Sequence, residues 1–142
     1  MVKKIFVDSD VVISSLISSS GASYFLLNQA ANLECYISNI SQKELVEVAK
    51  RLKISQDKLK NLLRQRFKKI YIKENLTEIK LGYSEYTIDS DDTHIVAGAR
   101  QSKANFLISY NTGHFKIDKI KQAFNMTVMT PAVFLQYLRS LD

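Results

Sequence analysis

The stretch KIFVDSDVVISSLI, residues 4–17, indicates the fold class of this chain. It opens with a short strand-like run over residues 4–7, and two aspartates, Asp8 and Asp10, follow that run. Apolar side chains then recur at helical spacing, with serines on the opposite side. A buried strand that passes directly into a helix is the building unit of an α/β protein.

Strands and helices alternate in the same way along the rest of the chain. After the first strand, the pattern predicts strands at residues 34–38, 70–72, 105–109 and 127–130. It predicts helices at residues 9–17, 23–33, 41–52, 55–69, 92–103, 116–124 and 131–141, and residues 74–86 are compatible with another. Because several strands are wholly apolar, we predict a three-layer α/β/α domain over residues 1–142, with a central, mostly parallel sheet of about five strands.

Composition excludes several classes of protein. One proline and four glycines among 142 residues disfavour an all-β protein with many tight turns. The single cysteine, Cys35, excludes an intramolecular disulfide framework and fits a reducing compartment. No signal peptide follows the N-terminal MVKK, and no apolar run reaches the roughly 18 residues of a membrane helix. We therefore expect a cytoplasmic protein without a membrane partner.

Positive charge is concentrated in the middle of the chain. The formal net charge is +6, and the segment from Arg51 to Lys73 holds nine Lys and Arg residues but one acid, Asp57. A basic balance favours a polyanionic partner, nucleic acid before membrane. The alternative is a set of basic helices with a solvated face.

Polar residues follow two of the predicted strands where function is expected to gather. Asp8 and Asp10 follow the first strand, and Asn111 follows the strand at residues 105–109. In parallel sheets, ligands bind outside the carboxyl ends of the strands. Neighbouring carboxylates raise each other's pKa unless a cation joins them, and Mg²⁺ or Mn²⁺ suits such an all-oxygen site. One cysteine and two separated histidines offer no structural zinc spacing.

A third group of acids lies in IDSDDTHIVAGAR, residues 88–100. On a helix, Asp92 points along the centre of the buried stripe, where an unpaired carboxylate is unfavourable without a cation. Asp89 and Asp91 fit helix initiation. His94 falls nearly opposite the stripe, so we interpret it as a surface residue or one that lies behind the site.

Glu44 has a structural and a functional interpretation. It stands three residues after Ser41, the spacing of a capping box in which the glutamate bonds back to the serine amide. It also lies at the border of its helix's apolar stripe, close to the predicted core.

Together these segments resemble a PIN domain, the nuclease fold of many prokaryotic toxin–antitoxin ribonucleases. FVDSDVVISSL is similar to the opening motif, SQKELVEV to the second acidic block and DSDDTHIVAGAR to the third, with NFLISYNTGHF similar to the closing strand and turn. The subgroup resembled carries Asp-x-x-Asp-Arg-His in the third block, where this chain has Thr93 in place of arginine. Asp10 replaces the commoner asparagine, and Asn111 and His114 stand where acids are frequent.

The resemblance implies a metal-dependent endoribonuclease, the toxin of a toxin–antitoxin pair. Asp8, Glu44 and Asp92 become catalytic metal ligands for Mg²⁺ or Mn²⁺, assisted by Asn111 and Asp10. The implied partners are an RNA substrate, a small antitoxin protein and a second copy in a homodimer. RNA-backbone contacts are assigned to the basic segment, at Arg51, Lys53, Lys58, Lys60, Arg64 and Arg66.

Two other interpretations stay open from sequence. A HAD-type phosphatase would use Asp8 as the nucleophile and Asp10 as the general acid, although the middle lysine motif of that family is absent. A PIN-like scaffold that binds RNA or protein without catalysis is the alternative outside enzymes, because of the departures at Asn111 and His114.

Overall fold

The computed structural model describes residues 2–141, so residues 1 and 142 of the predicted domain lie outside it. The strands in this part are β1 (Lys3–Val7), β2 (Leu33–Ser38), β3 (Phe67–Ile70), β4 (Phe106–Ile108) and β5 (Thr127–Met129). The α-helices are α1 (Ser9–Ile17), α2 (Ala22–Asn28), α3 (Asn39–Arg51), α4 (Gln56–Arg66), α5 (Leu76–Tyr83), α6 (Thr93–Gln101), α7 (Ile117–Phe124) and α8 (Pro131–Ser140). Short 3-10 turns occupy Ser84–Tyr86, Ser90–Asp92 and Thr112–His114.

The five strands form one parallel sheet in the order β3-β2-β1-β4-β5. From β1 the chain first extends the sheet to one side through β2 and β3. It then returns to the other side of β1 with β4 and β5. The direction of winding therefore reverses between β1 and β4, and such a switch point opens a crevice at the carboxyl ends of the two strands.

Alternate residues of each strand supply two separate hydrophobic layers. On one face, Ile5 and Val7 of β1 pack with helices α1, α2, α3, α4 and α8. On the other face, Phe6 of β1 and Leu107 of β4 pack with α6 and α7. Because both faces are covered, the predicted three-layer α/β/α architecture and its sheet of about five strands are confirmed.

Helix α6 lies unusually close to the sheet. A Cβ atom added to Gly98 would stand 2.6 Å from Cζ of Phe6, whose side chain is fully buried. Every residue from Thr93 to Ala99 is buried, because α6 packs on the sheet and along α5 and also contacts α3. This placement brings the start of α6 against the switch-point crevice.

Three predicted elements differ most from the structure in their boundaries. The helix predicted at 23–33 ends at Asn28, since Asn32 turns the chain with φ 61° and Leu33 already pairs with Lys3. The helix predicted at 55–69 ends at Arg66, and the strand predicted at 70–72 is instead Phe67–Ile70. Phe67 pairs with Cys35 at the start of β2, so packing in the sheet overrides its helical spacing.

Within residues 2–141, no single helix has the length and hydrophobicity to cross a membrane. Helices α1 and α2 reach that threshold as a pair, but the chain bends by 98° between them.

Candidate metal and catalytic site

The two acids of the opening stretch lie at the switch point. The Asp8 backbone N–H donates to the carbonyl of Ile108 across 2.9 Å, which continues the pairing of β1 with β4 by one residue. Asp8 is also the N-cap of α1, and Asp10 lies in the first turn of that helix. The end of β4 places Ser109, Tyr110 and Asn111 opposite them.

Asp8 is held by hydrogen bonds to both carboxylate oxygens. Its Oδ1 accepts from the Ser9 backbone N–H at 2.7 Å, and its Oδ2 accepts from the Ser109 hydroxyl at 2.8 Å. Burial, together with the charges of Asp10 and Asp92, raises the pKa of Asp8 from 3.8 to about 7, although the two hydrogen bonds lower it in part. Burial and the repulsion from the neighbouring carboxylates therefore outweigh the hydrogen bonds that favour the ionised form of Asp8.

Asp10 uses only one of its oxygens. Its Oδ2 accepts from the Tyr110 backbone N–H and from the Asn111 side-chain amide, each at 3.1 Å. Its Oδ1 is buried and has no hydrogen-bond partner among residues 2–141. Burial raises the pKa of Asp10, and the bonds to Oδ2 lower it in part. An ionised oxygen that is buried without a donor is unfavourable unless a cation lies beside it.

Asp92 joins this pair from the start of α6. It occupies the N-cap position of the helix, and its side chain is 28% exposed. Its Oδ2 lies 3.3 Å from Nδ1 of His114, which belongs to the turn after β4. Burial raises the pKa of the Asp92 carboxyl, and His114 opposes that rise.

Glu44 is not part of the predicted capping box. Strand β2 passes into α3 without a loop, so Ser38 is the N-cap and its Oγ accepts from the Ser41 backbone N–H at 3.0 Å. Ser41 is therefore inside the helix, and the side chain of Glu44 is released from capping. Its Oε1 lies 3.1 Å from Nε2 of His94.

Of the two positions expected for His94, at the surface or behind the site, the surface position was wrong. Its side chain is 6% exposed and contacts Glu44 of α3, so this part of α6 does not face water although it lies away from the main apolar stripe. A residue opposite the apolar stripe is exposed only when that face of the helix lies in water, and α6 is covered on both sides.

Asp89 and Asp91 have the local roles expected of helix-initiating acids. Asp89 caps the turn before α6, where its Oδ1 accepts from the Asp91 backbone N–H at 2.9 Å. The Asp91 side chain is 78% exposed and pairs with Nζ of Lys80 at 3.3 Å.

The donors at the switch point fit a hard divalent cation. Asp8, Asp10 and Asp92 provide carboxylate oxygens, the ligands that Mg²⁺ and Mn²⁺ prefer, and the unpartnered Oδ1 of Asp10 is one of them. Within the described part of the chain, no three His, Cys, Asp or Glu side chains stand in a ready coordination geometry. The site is suited to Mg²⁺ or Mn²⁺ because its donors are oxygen atoms and because a cation would offset their negative charge.

The basic residues assigned to RNA contact do not all lie near this site. Helix α3 starts at the carboxyl end of β2 and is about 20 Å long, so Arg51 and Lys53 lie at the far end of the sheet. Arg66 is tied to the end of α2, where its guanidinium donates to the carbonyls of Leu27 and Ala30. Lys58, Lys60 and Arg64 are exposed on α4.

The contacts of three residues of the site were not predicted from sequence: those of Ser109, His94 and His114. Ser109 had a usable signal, because it is the first residue after β4 and the carboxyl ends of parallel strands meet at one edge. The contacts of the two histidines depend on how helices and turns pack, which no local pattern shows.

The sequence matches the family model of the PIN domain over residues 4–113. No curated protein matches the chain significantly. Among solved structures, VapBC2 from Rickettsia felis bound to a DNA fragment from their promoter aligns with a TM-score of 0.60 at 18% identity, covering 89% of this chain and 98% of that chain. A toxin–antitoxin complex from Klebsiella pneumoniae aligns with a TM-score of 0.60 at 22% identity, covering 89% of this chain and 97% of the other. At these identities the likeness shows the fold.

Proposed function

The chain belongs to the PIN domain family, and from that premise we propose that it is a metal-dependent endoribonuclease that hydrolyses RNA phosphodiester bonds. Membership of this family replaces the HAD-type phosphatase interpretation. The observation that carries the proposal is the half-buried Asp8–Asp10 pair at the switch point, with Asp92 close enough to raise the pKa of Asp8. Carboxylates crowded in this way repel each other, and a bound cation offsets that repulsion.

The chain's own residues have distinct tasks in this proposal. Asp8, Asp92 and Glu44 hold Mg²⁺ or Mn²⁺, with Asp10 and Asn111 assisting. Ser109 and the Tyr110 amide fix the orientations of Asp8 and Asp10 through their hydrogen bonds. The cation, when bound, lowers the pKa of a water molecule and neutralises charge on the scissile phosphate.

We extend the proposal to the setting of the protein. Two solved structures of similar fold are described as a VapBC complex and a toxin–antitoxin complex, which supports a small antitoxin as a partner of this chain. Action in the cytoplasm and pairing of two copies belong to the same proposal. Exposed Lys58, Lys60 and Arg64 are available for RNA phosphates at a distance from the carboxylates, whereas the structural contacts of Arg66 remove it from that set.

The test compares two neighbouring acids. We expect Asp92→Asn to abolish Mn²⁺-dependent cleavage of RNA, because it removes a charged ligand, and to leave the circular dichroism spectrum unchanged. Asp91→Asn is the matched control, since Asp91 is exposed and pairs with Lys80, and it should cleave like the wild type.

Each preparation is purified twice and assayed with Mn²⁺ and with EDTA, so that contaminating ribonuclease is recognised. Undiminished cleavage by Asp92→Asn contradicts the proposal. Absence of both cleavage and Mn²⁺ binding in the wild type favours the scaffold instead.

A further inference from the structure

We infer that His94 is a positioning residue that fixes the carboxylate of Glu44 for metal binding. The inference rests on the proposed function and concerns the same site. It assigns a task to a side chain that touches neither the RNA nor the cation.

The contact joins a buried side chain, His94, to a half-exposed one, Glu44. His94 is 6% exposed and its ring is enclosed between helices α6 and α3, whereas the Glu44 side chain is 48% exposed. A half-exposed glutamate has many accessible rotamers, and holding it in one of them carries an entropic cost. The 3.1 Å contact from Nε2 of His94 to Oε1 of Glu44 selects one rotamer and leaves Oε2 to act as a ligand.

The geometry also identifies the donor. A carboxylate oxygen only accepts hydrogen bonds, so Nε2 of His94 carries the hydrogen in this contact. The imidazole therefore acts on Glu44 as an N–H donor with a direction, in the way that polar groups behind metal ligands orient them in other proteins.

A role in stability alone does not explain His94. Its second nitrogen, Nδ1, is buried without a hydrogen-bond partner among residues 2–141. A buried polar atom without a partner costs about 1–3 kcal/mol, and an apolar side chain of similar size avoids that cost. The histidine is unfavourable as core filling, and its bond to Glu44 gives a reason for its presence.

The same helix connects two predicted ligands. Asp92 is the N-cap of α6 and His94 is the second residue of the helix, so their spacing is set by helix geometry. Through His94, the position of Glu44 on α3 is tied to that of Asp92 on α6. We conclude that the α3–α6 contact sets the distance between two carboxylates that the sequence separates by 48 positions.

The test uses three substitutions at one position. His94→Gln retains an N–H donor, and its Nε2 is separated from Cα by the same number of bonds as the histidine Nε2. His94→Asn has the same amide but is one methylene shorter, so it cannot reach Glu44. His94→Leu fills the space and has no donor. The affinity for Mn²⁺ is measured by calorimetry for each variant and for the wild type, and folding is checked by thermal denaturation in EDTA.

We expect His94→Asn and His94→Leu to bind Mn²⁺ roughly 10–100-fold more weakly than the wild type, the usual effect of removing a group that orients a ligand. His94→Gln should restore most of the affinity. A merely structural role predicts a different order, in which Mn²⁺ affinity follows thermal stability and the apolar leucine is tolerated.

The outcomes separate this inference from the proposed function. Equal Mn²⁺ affinity in the wild type and His94→Leu, or failure of glutamine to restore binding that asparagine loses, overturns the inference and leaves the proposed function standing. A wild type that binds Mn²⁺ but cleaves no RNA removes the proposed function, while the titrations still decide the task of His94. A wild type that binds no Mn²⁺ overturns both.

Discussion

At the scale of single residues, the site is defined by what each carboxylate oxygen accepts. Asp8 has donors on both oxygens, Asp10 on one, and Glu44 and Asp92 are each held by a histidine. The motifs predicted the acids themselves. They did not predict the donors, because Ser109, His94 and His114 reach the acids from other elements of the fold.

The raised pKa of Asp8 makes a prediction for protein stability in EDTA. Since its pKa is about 7 in the folded protein and near 3.8 in the unfolded chain, the folded state keeps a proton that the unfolded state releases between these values. The free energy of unfolding contributed by Asp8 therefore falls as the pH rises from about 4 to about 7, and stays low above that range.

Asp8→Asn should remove this pH dependence. We expect the melting temperature of the variant minus that of the wild type to be larger at pH 8 than at pH 5. The altered hydrogen bonds shift both differences by the same amount. Thermal denaturation of both proteins in EDTA at the two pH values measures the difference. A difference that is the same at pH 5 and pH 8 would show that Asp8 is an ordinary carboxylate.

At the scale of elements, the close approach of α6 to the sheet depends on Gly98. Alanine at this position places a methyl group 2.6 Å from the ring of Phe6, which is enclosed in the core. Overpacking of a core costs about 1–3 kcal/mol. Alanine is favoured over glycine in a helix by only about 1 kcal/mol. We therefore expect Gly98→Ala to lower the free energy of unfolding.

Gly82→Ala in α5 is the matched control, because no atom lies within 4 Å of its added Cβ. It should be neutral or raise stability by up to about 1 kcal/mol. Urea denaturation of both variants measures the two effects. Equal changes in the two variants would mean that α6 is not held against the sheet through Gly98.

Element boundaries show where sequence reasoning succeeds. Helix α8 was predicted from Pro131 onward, and the structure has that proline in the first turn after the N-cap Thr130. The predicted start of α3 was wrong because two serines, Ser38 and Ser41, are both suitable as its N-cap. Ser41 has the spacing of a capping box, but Ser38 holds the N-cap at the end of β2. Only the strand pairing of Ser38 distinguishes them.

At the scale of the whole molecule, topology assembles the site. Alternating strands and helices predicted a parallel sheet, and a parallel sheet brings its strand ends to one edge. The order β3-β2-β1-β4-β5 was beyond the local pattern, since strand order depends on which strands pair across the whole chain. That order makes β1 the neighbour of β4, and so brings Asp8 to Ser109 over 101 positions of sequence.

The positions of the basic residues in space are also set by the fold of the whole molecule. In sequence, Arg51 and Arg66 belong to one basic segment. In the fold, Arg51 is at the end of α3, whereas Arg66 donates to a carbonyl in the last turn of α2 and to that of Ala30 just beyond it. The basic residues of the segment therefore do not form one surface.

The proposed function depends on the binding of a divalent cation by the carboxylates at the switch point. The most direct measurement is anomalous scattering from crystals grown with Mn²⁺ and recorded at the manganese absorption edge. We predict a peak between the carboxylate oxygens of Asp8, Glu44 and Asp92. The absence of a peak at that position in millimolar Mn²⁺, whether or not manganese binds elsewhere on the molecule, would contradict this prediction.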